Sequence, residues 1–96
     1  MKSVKITDLE LGIYKVFEAI KELHGTDIQI DLDEDDYWNI KDDELYKVAT
    51  RPDKMDIGSL YSDVEQLEKI VRDEMHSVPY NLKLLSAVLR FVATKV

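Results

Sequence analysis

From Val78 to Val96 the chain is apolar on nearly every side: Leu82, Leu84, Leu85, Ala87, Val88, Leu89, Phe91, Val92 and Ala93 leave only a narrow polar ridge at Lys83, Ser86, Arg90 and Thr94. A helix patterned this way has to be covered, either as the buried centre of a domain or as one side of a dimer interface. Pro79 suits its first turn, where the missing N–H has no intrahelical partner to lose. Asn81, Lys83, Ser86, Arg90 and Lys95 interrupt the stretch, so it falls short of the roughly 20 continuous apolar residues of a membrane span. No membrane association is expected.

Two more helical stripes precede it. Leu9, Ile13, Val16, Phe17, Ile20 and Leu23 follow one another at steps of mostly three and four, with Lys15, Glu18, Lys21 and Glu22 facing out, which predicts a helix over residues 8–24. Thr7-Asp-Leu-Glu10 reads as the capping box that opens it, and Gly25 as its stop. Leu60, Val64, Leu67, Ile70 or Val71, and Met75 make the other stripe. Its cap is Asp56 or Ser59.

Between these stripes the period changes to two. Ile28, Ile30 and Leu32 alternate with Asp27, Gln29, Asp31 and Asp33, which predicts a short strand. Tyr37-Trp-Asn-Ile40 and Leu45-Tyr-Lys-Val48 are two further candidates, rich in aromatic and β-branched residues and separated by a turn at Lys41-Asp-Asp43. Residues 50–56 read as a connector, because Pro52 cannot contribute to a ladder. The expectation is one α+β domain over 1–96: an N-terminal helix, a two- or three-stranded antiparallel sheet, then two helices with the last central in the core.

The charge is unevenly placed. Residues 27–56 hold eleven acids and four bases, a balance of −7; the other 66 residues hold nine of each, so this segment carries the whole net charge of the molecule. Repulsion among the five carboxylates of Asp31 to Asp36 costs on the order of 1 to 3 kcal/mol once screened. A run of this kind stands either as a solvated loop or as a surface that a cationic partner relieves. Beside it lie Tyr37 and Trp38, and rings flanked by carboxylates suit a basic protein, the rings supplying desolvated area and the charges on-rate. If alternation holds, one ring is core and the other exposed. The sequence favours Trp38 as core and Tyr37 as contact.

Other chemistries find little footing. Asp31, Asp33 and Asp35 have the spacing that opens an EF-hand loop, but Asp36 stands where its turn needs glycine and Asp42 where a bidentate Glu is usual. No metal or cofactor is expected. With no cysteine there is no disulfide framework and no thiolate chemistry, a composition suited to the cytoplasm. The opening MKSVKITDLELG has no continuous apolar run, which argues against a secretory signal. His24 and His76 read as residues at helix C-termini. Three glycines make no phosphate loop, and the acidic field repels nucleic acid. No enzyme is expected.

The run Tyr37-Trp-x-Ile40, Glu44-Leu-Tyr46, Gly58-x-Leu60-x-x-Asp63-x-Glu65-x-Leu67, Val78-Pro-Tyr80 and Leu85 to Leu89 resembles small bacterial proteins of unassigned function, over roughly residues 9–93. That resemblance implies no activity. In physical character the chain is also similar to immunity proteins of bacterial toxin pairs, which are small, acidic and poor in cysteine. The expected function is therefore binding of a basic protein, most concretely a nuclease-like toxin, through Asp33, Glu34, Asp35, Asp36, Tyr37, Asp42 and Asp43. The alternative is a structural or regulatory protein, as a homodimer through the last helix.

Overall fold

A computed structural model describes all 96 residues. The elements run α1 (Ile6–His24), β1 (Asp36–Ile40), α2 (Asp42–Leu45), β2 (Met55–Ser59), α3 (Leu60–Val71) and α4 (Val78–Ala93). This is an α+β arrangement with an N-terminal helix, one two-stranded antiparallel sheet and two C-terminal helices. The chain falls into two compact units, Met1–Ile30 with Lys95–Val96, and Asp31–Thr94.

In the first unit α1 begins earlier than Thr7 suggests. Its N-cap is Lys5, whose carbonyl accepts from the Leu9 N–H at 3.0 Å and whose side chain makes no cap bond. Thr7 and Glu10 thus lie inside the helix, and the expected capping box does not form. Gly25 ends it with φ +93°, a value that residues with a Cβ avoid, and its N–H closes the last turn on the Lys21 carbonyl at 2.8 Å. No residue of α1 is buried.

In the second unit β1 and β2 pair in a register that sets Tyr37 against Gly58, Trp38 against Ile57 and Ile40 against Met55. Two expected strands are absent. Residues 28–35 are irregular and join no ladder: alternation marks one face for burial but does not by itself supply a pairing partner. Leu45 ends the single helical turn α2 in place of opening a strand, and Tyr46 and Val48 are exposed. The real partner, Met55–Ser59, overlaps the expected connector.

Leu60, Leu84 and Phe91 are the buried apolar residues of this unit. Leu84 and Phe91 lie seven apart on one stripe of α4, and Asn81 extends it by a turn, donating its side-chain amide to the His76 carbonyl at 3.1 Å. The packing of α3 against α4 builds this core, but α4 is not enclosed all round. Val78, Leu82 and Leu89 remain exposed. Ser59 and Ser77 cap α3 and α4, accepting from the N–H groups of Ser62 at 3.2 Å and Tyr80 at 3.3 Å.

α3 stops at Val71 for a backbone reason. Asp73 adopts φ +63°, its N–H bonds the Ile70 carbonyl at 2.9 Å, and the Glu74 N–H reaches back to Lys69 at 2.8 Å. That pair of bonds is a Schellman close, in a place usually given to glycine. Met75 therefore lies past the helix and is exposed. His76 is likewise not at the end of α3; it precedes α4, with its Nδ1 accepting from the Ser77 N–H at 2.8 Å and its ring 4.4 Å from that of Tyr80.

Candidate protein-binding surface

Opposed residues of an antiparallel pair share a face, and residues two apart on one strand do too. The ribbon's faces are therefore Tyr37 with Asn39, Gly58 and Asp56 on one side, and Asp36, Trp38 and Ile40 with Ser59, Ile57 and Met55 on the other.

The first face is tied to α3. The Tyr37 ring lies across Gly58 so closely that a Cβ there would stand 2.3 Å from Tyr37 Cζ. This contact delivers the Tyr37 hydroxyl to Asp63, whose Oδ2 accepts from it at 2.6 Å. Asp63 is a buried carboxylate on the first turn of α3. Burial pushes its pKa up and the neighbouring Asp35 charge adds to this, while the Tyr37 hydrogen bond opposes. Tyr37 is pushed well above the usual phenol range, first by burial and then by its bond and proximity to the Asp63 carboxylate.

Asp35 completes the tie. Its Oδ1 accepts from Ser59 Oγ at 2.8 Å and from the Tyr61 N–H at 3.0 Å, and its carbonyl accepts from the Leu60 N–H at 2.9 Å. Together with the Ser59 cap on Ser62, this satisfies the first three amides of α3. A carboxylate at that end is also favoured by the helix dipole. Asp35 and Tyr37, both named from the sequence as contact residues, are thus engaged within the fold.

The second face is open. Trp38 is 67% exposed and Ile57, directly opposite it, 60%; Met55 is also exposed, and Ile40 is half-buried. The assignment of the two rings from sequence is reversed: Tyr37 turns inward and Trp38 outward. Nothing in the alternation of one strand could decide this, because the inward choice is set by the glycine opposite Tyr37 and the carboxylate behind it.

The remaining carboxylates are distributed around the open face and the adjoining turns. Asp36 begins β1 on the Trp38 side and is exposed, as are Asp33 and Glu34 just before it. Asp42 and Asp43 occupy the first turn of α2 and are exposed. Asp42 pairs with Lys83 of α4, but both side chains are more than half exposed, so the pair contributes no more than about 1 kcal/mol. Glu34, Asp36 and Asp43 form no ion pair. No three of these acids converge as a metal-holding group.

The concavities of this unit are shallow clefts. One of about 300 Å³ is lined by Glu34, Asp36, Tyr37, Leu60, Ala87, Arg90, Phe91 and Thr94. Another, of about 250 Å³, is lined by Glu44, Lys47, Thr50, Arg51, Pro52 and Asp53, with Glu44 Oε1 accepting from the Asp53 N–H at 3.3 Å. No helix is long and apolar enough to cross a membrane. No family model, no curated protein and no solved structure matches this chain.

Proposed function

We propose that this chain is an acidic, cytoplasmic protein-binding module, most concretely an immunity or inhibitor protein for a basic, nuclease-like toxin. The observation that carries the reading is the exposed Trp38–Ile57 pair on a ribbon whose segment holds the entire net charge of −7. Trp38 is the aromatic anchor. Asp33, Glu34, Asp36, Asp42 and Asp43 meet lysines and arginines that would otherwise grip nucleic-acid phosphate, which speeds encounter and rejects acidic partners. Asp35 and Tyr37 act one layer back, fixing the ribbon on α3.

The test is calorimetric titration of the purified chain against a panel of basic nuclease domains, with nucleic-acid cleavage read in parallel. One domain should bind at submicromolar Kd and lose activity, with an on-rate that falls as salt is raised. Trp38→Ala, and Asp36→Lys combined with Asp43→Lys, should each weaken that complex by about tenfold or more, equivalent to ~1.4 kcal/mol. Their urea midpoints should be unchanged. Binding that survives both changes, or no binding to any basic domain, would refute the proposal.

A further inference from the structure

α1 carries an exposed apolar seam. Because the helix starts at Ile6, two residues before the start predicted from the sequence, Ile6 joins the series in phase: Ile6, Leu9, Ile13, Val16, Ile20 and Leu23 are spaced 3, 4, 3, 4 and 3. This is a heptad seam, with Ile6, Ile13 and Ile20 at every a position and Leu9, Val16 and Leu23 at d. Five of the six are exposed and Ile20 is half-buried. Isoleucine at a with leucine at d is the combination that selects a parallel two-stranded coiled coil.

The flanks agree with that choice. In a parallel pair each g residue faces the e residue five positions further along the partner helix. Here those pairs are Lys5 with Glu10, opposite charges; Gly12 with Phe17; and Ala19 with His24, a small residue against a ring in both cases. Gly12 has open space where a Cβ would be, so a neighbouring ring can close over it. Leu11 and Tyr14 fall at outer f and b positions and take no part.

We infer that α1 binds a second copy of this chain, forming a parallel homodimer through a coiled coil about 28 Å long. This places the dimer seam on α1 and not on α4, and it uses none of the residues of the proposed toxin-binding face.

Absence of cysteine makes the experiment direct. Leu9→Cys and Leu23→Cys, each alone in the full chain, are oxidised mildly after the native chain has been sized by sedimentation equilibrium. The native chain should sediment as a dimer at high micromolar concentration, and each single variant should form a disulfide-linked dimer in high yield. Ile13→Asp should sediment as a monomer, its far-UV helical signal falling by no more than the share of α1. A native chain that is monomeric throughout overturns the inference, as α1 would then be covered within one chain or not at all. Cross-linking only when Leu9→Cys is mixed with Ile20→Cys would show an antiparallel pair and overturn it equally.

Discussion

Replacing Gly58 by alanine should be the most damaging single-methyl change in the molecule. The new Cβ would stand 2.3 Å from Tyr37 Cζ, 2.4 Å from Cε2 and 2.7 Å from the hydroxyl oxygen. None of these is tolerable, so the ring must leave, and its 2.6 Å bond to Asp63 goes with it. Forcing a side chain out of a packed site costs about 1 to 3 kcal/mol. Losing a hydrogen bond to a buried carboxylate adds about 1.5 to 3 kcal/mol. A gain of at most about 1 kcal/mol from replacing a strand glycine offsets part of this, leaving roughly 1.5 to 6 kcal/mol. That is a large share of the ~5 to 15 kcal/mol typical of a whole domain. The assay is urea unfolding followed by circular dichroism at neutral pH, run as a cycle with Tyr37→Ala. With the ring already removed, Gly58→Ala should become neutral or stabilising. An equal cost in both backgrounds, or a cost under about 1 kcal/mol in the native one, would refute the argument that Gly58 exists to admit Tyr37.

Four further outcomes follow from the same structure. Asp35→Ala should cost about 1 to 2 kcal/mol in urea unfolding, because the Tyr61 amide and the Ser59 hydroxyl lose their acceptor, whereas Asp36→Ala should stay within about 0.5 kcal/mol. Asp73→Gly should raise stability by about 1 kcal/mol by relieving the left-handed backbone at φ +63°, read as a higher urea midpoint with an unchanged slope. Tyr37 is protonated in the fold beyond its ordinary pKa of 10.0, so its contribution is complete below pH 10 and is lost as pH rises further; Tyr37→Phe should flatten that alkaline decline. Asp63 behaves in the same sense at acid pH, favouring the fold below 3.8 and losing that contribution as pH rises through its raised pKa, a slope that Asp63→Asn should remove.

Those elements whose signals are local were legible in the sequence. The apolar stripes of α1, α3 and α4, the cap of α3 narrowed to Asp56 or Ser59, and the Pro79 start report their own turns and need no partner to be read. The failures share one cause. Residues 28–32 alternate well yet join no ladder, while Met55–Ser59 contains a glycine that speaks against a strand and pairs nonetheless, because Tyr37 needs that gap. Among the site residues, Asp35 and Asp36 look alike in sequence; they differ because the start of α3, 24 residues away, meets one carboxylate and not the other. The N-terminal limit of α1 was missed by only two residues, yet those two bring Ile6 into the heptad.

The ribbon has a colloidal consequence. A sheet of two strands has an unpaired edge on each side, and here the strands display Trp38, Ile57 and Met55 to solvent. Such edges recruit strands from other molecules unless something keeps those molecules apart. Asp36 and Asp56 sit within the two strands, and the surrounding segment gives every approaching copy the same negative field. The guard depends on ionisation. Near the isoelectric point of about 4.7 net repulsion vanishes while the apolar face is unchanged. Mildly acid storage should therefore cloud this protein well before it unfolds.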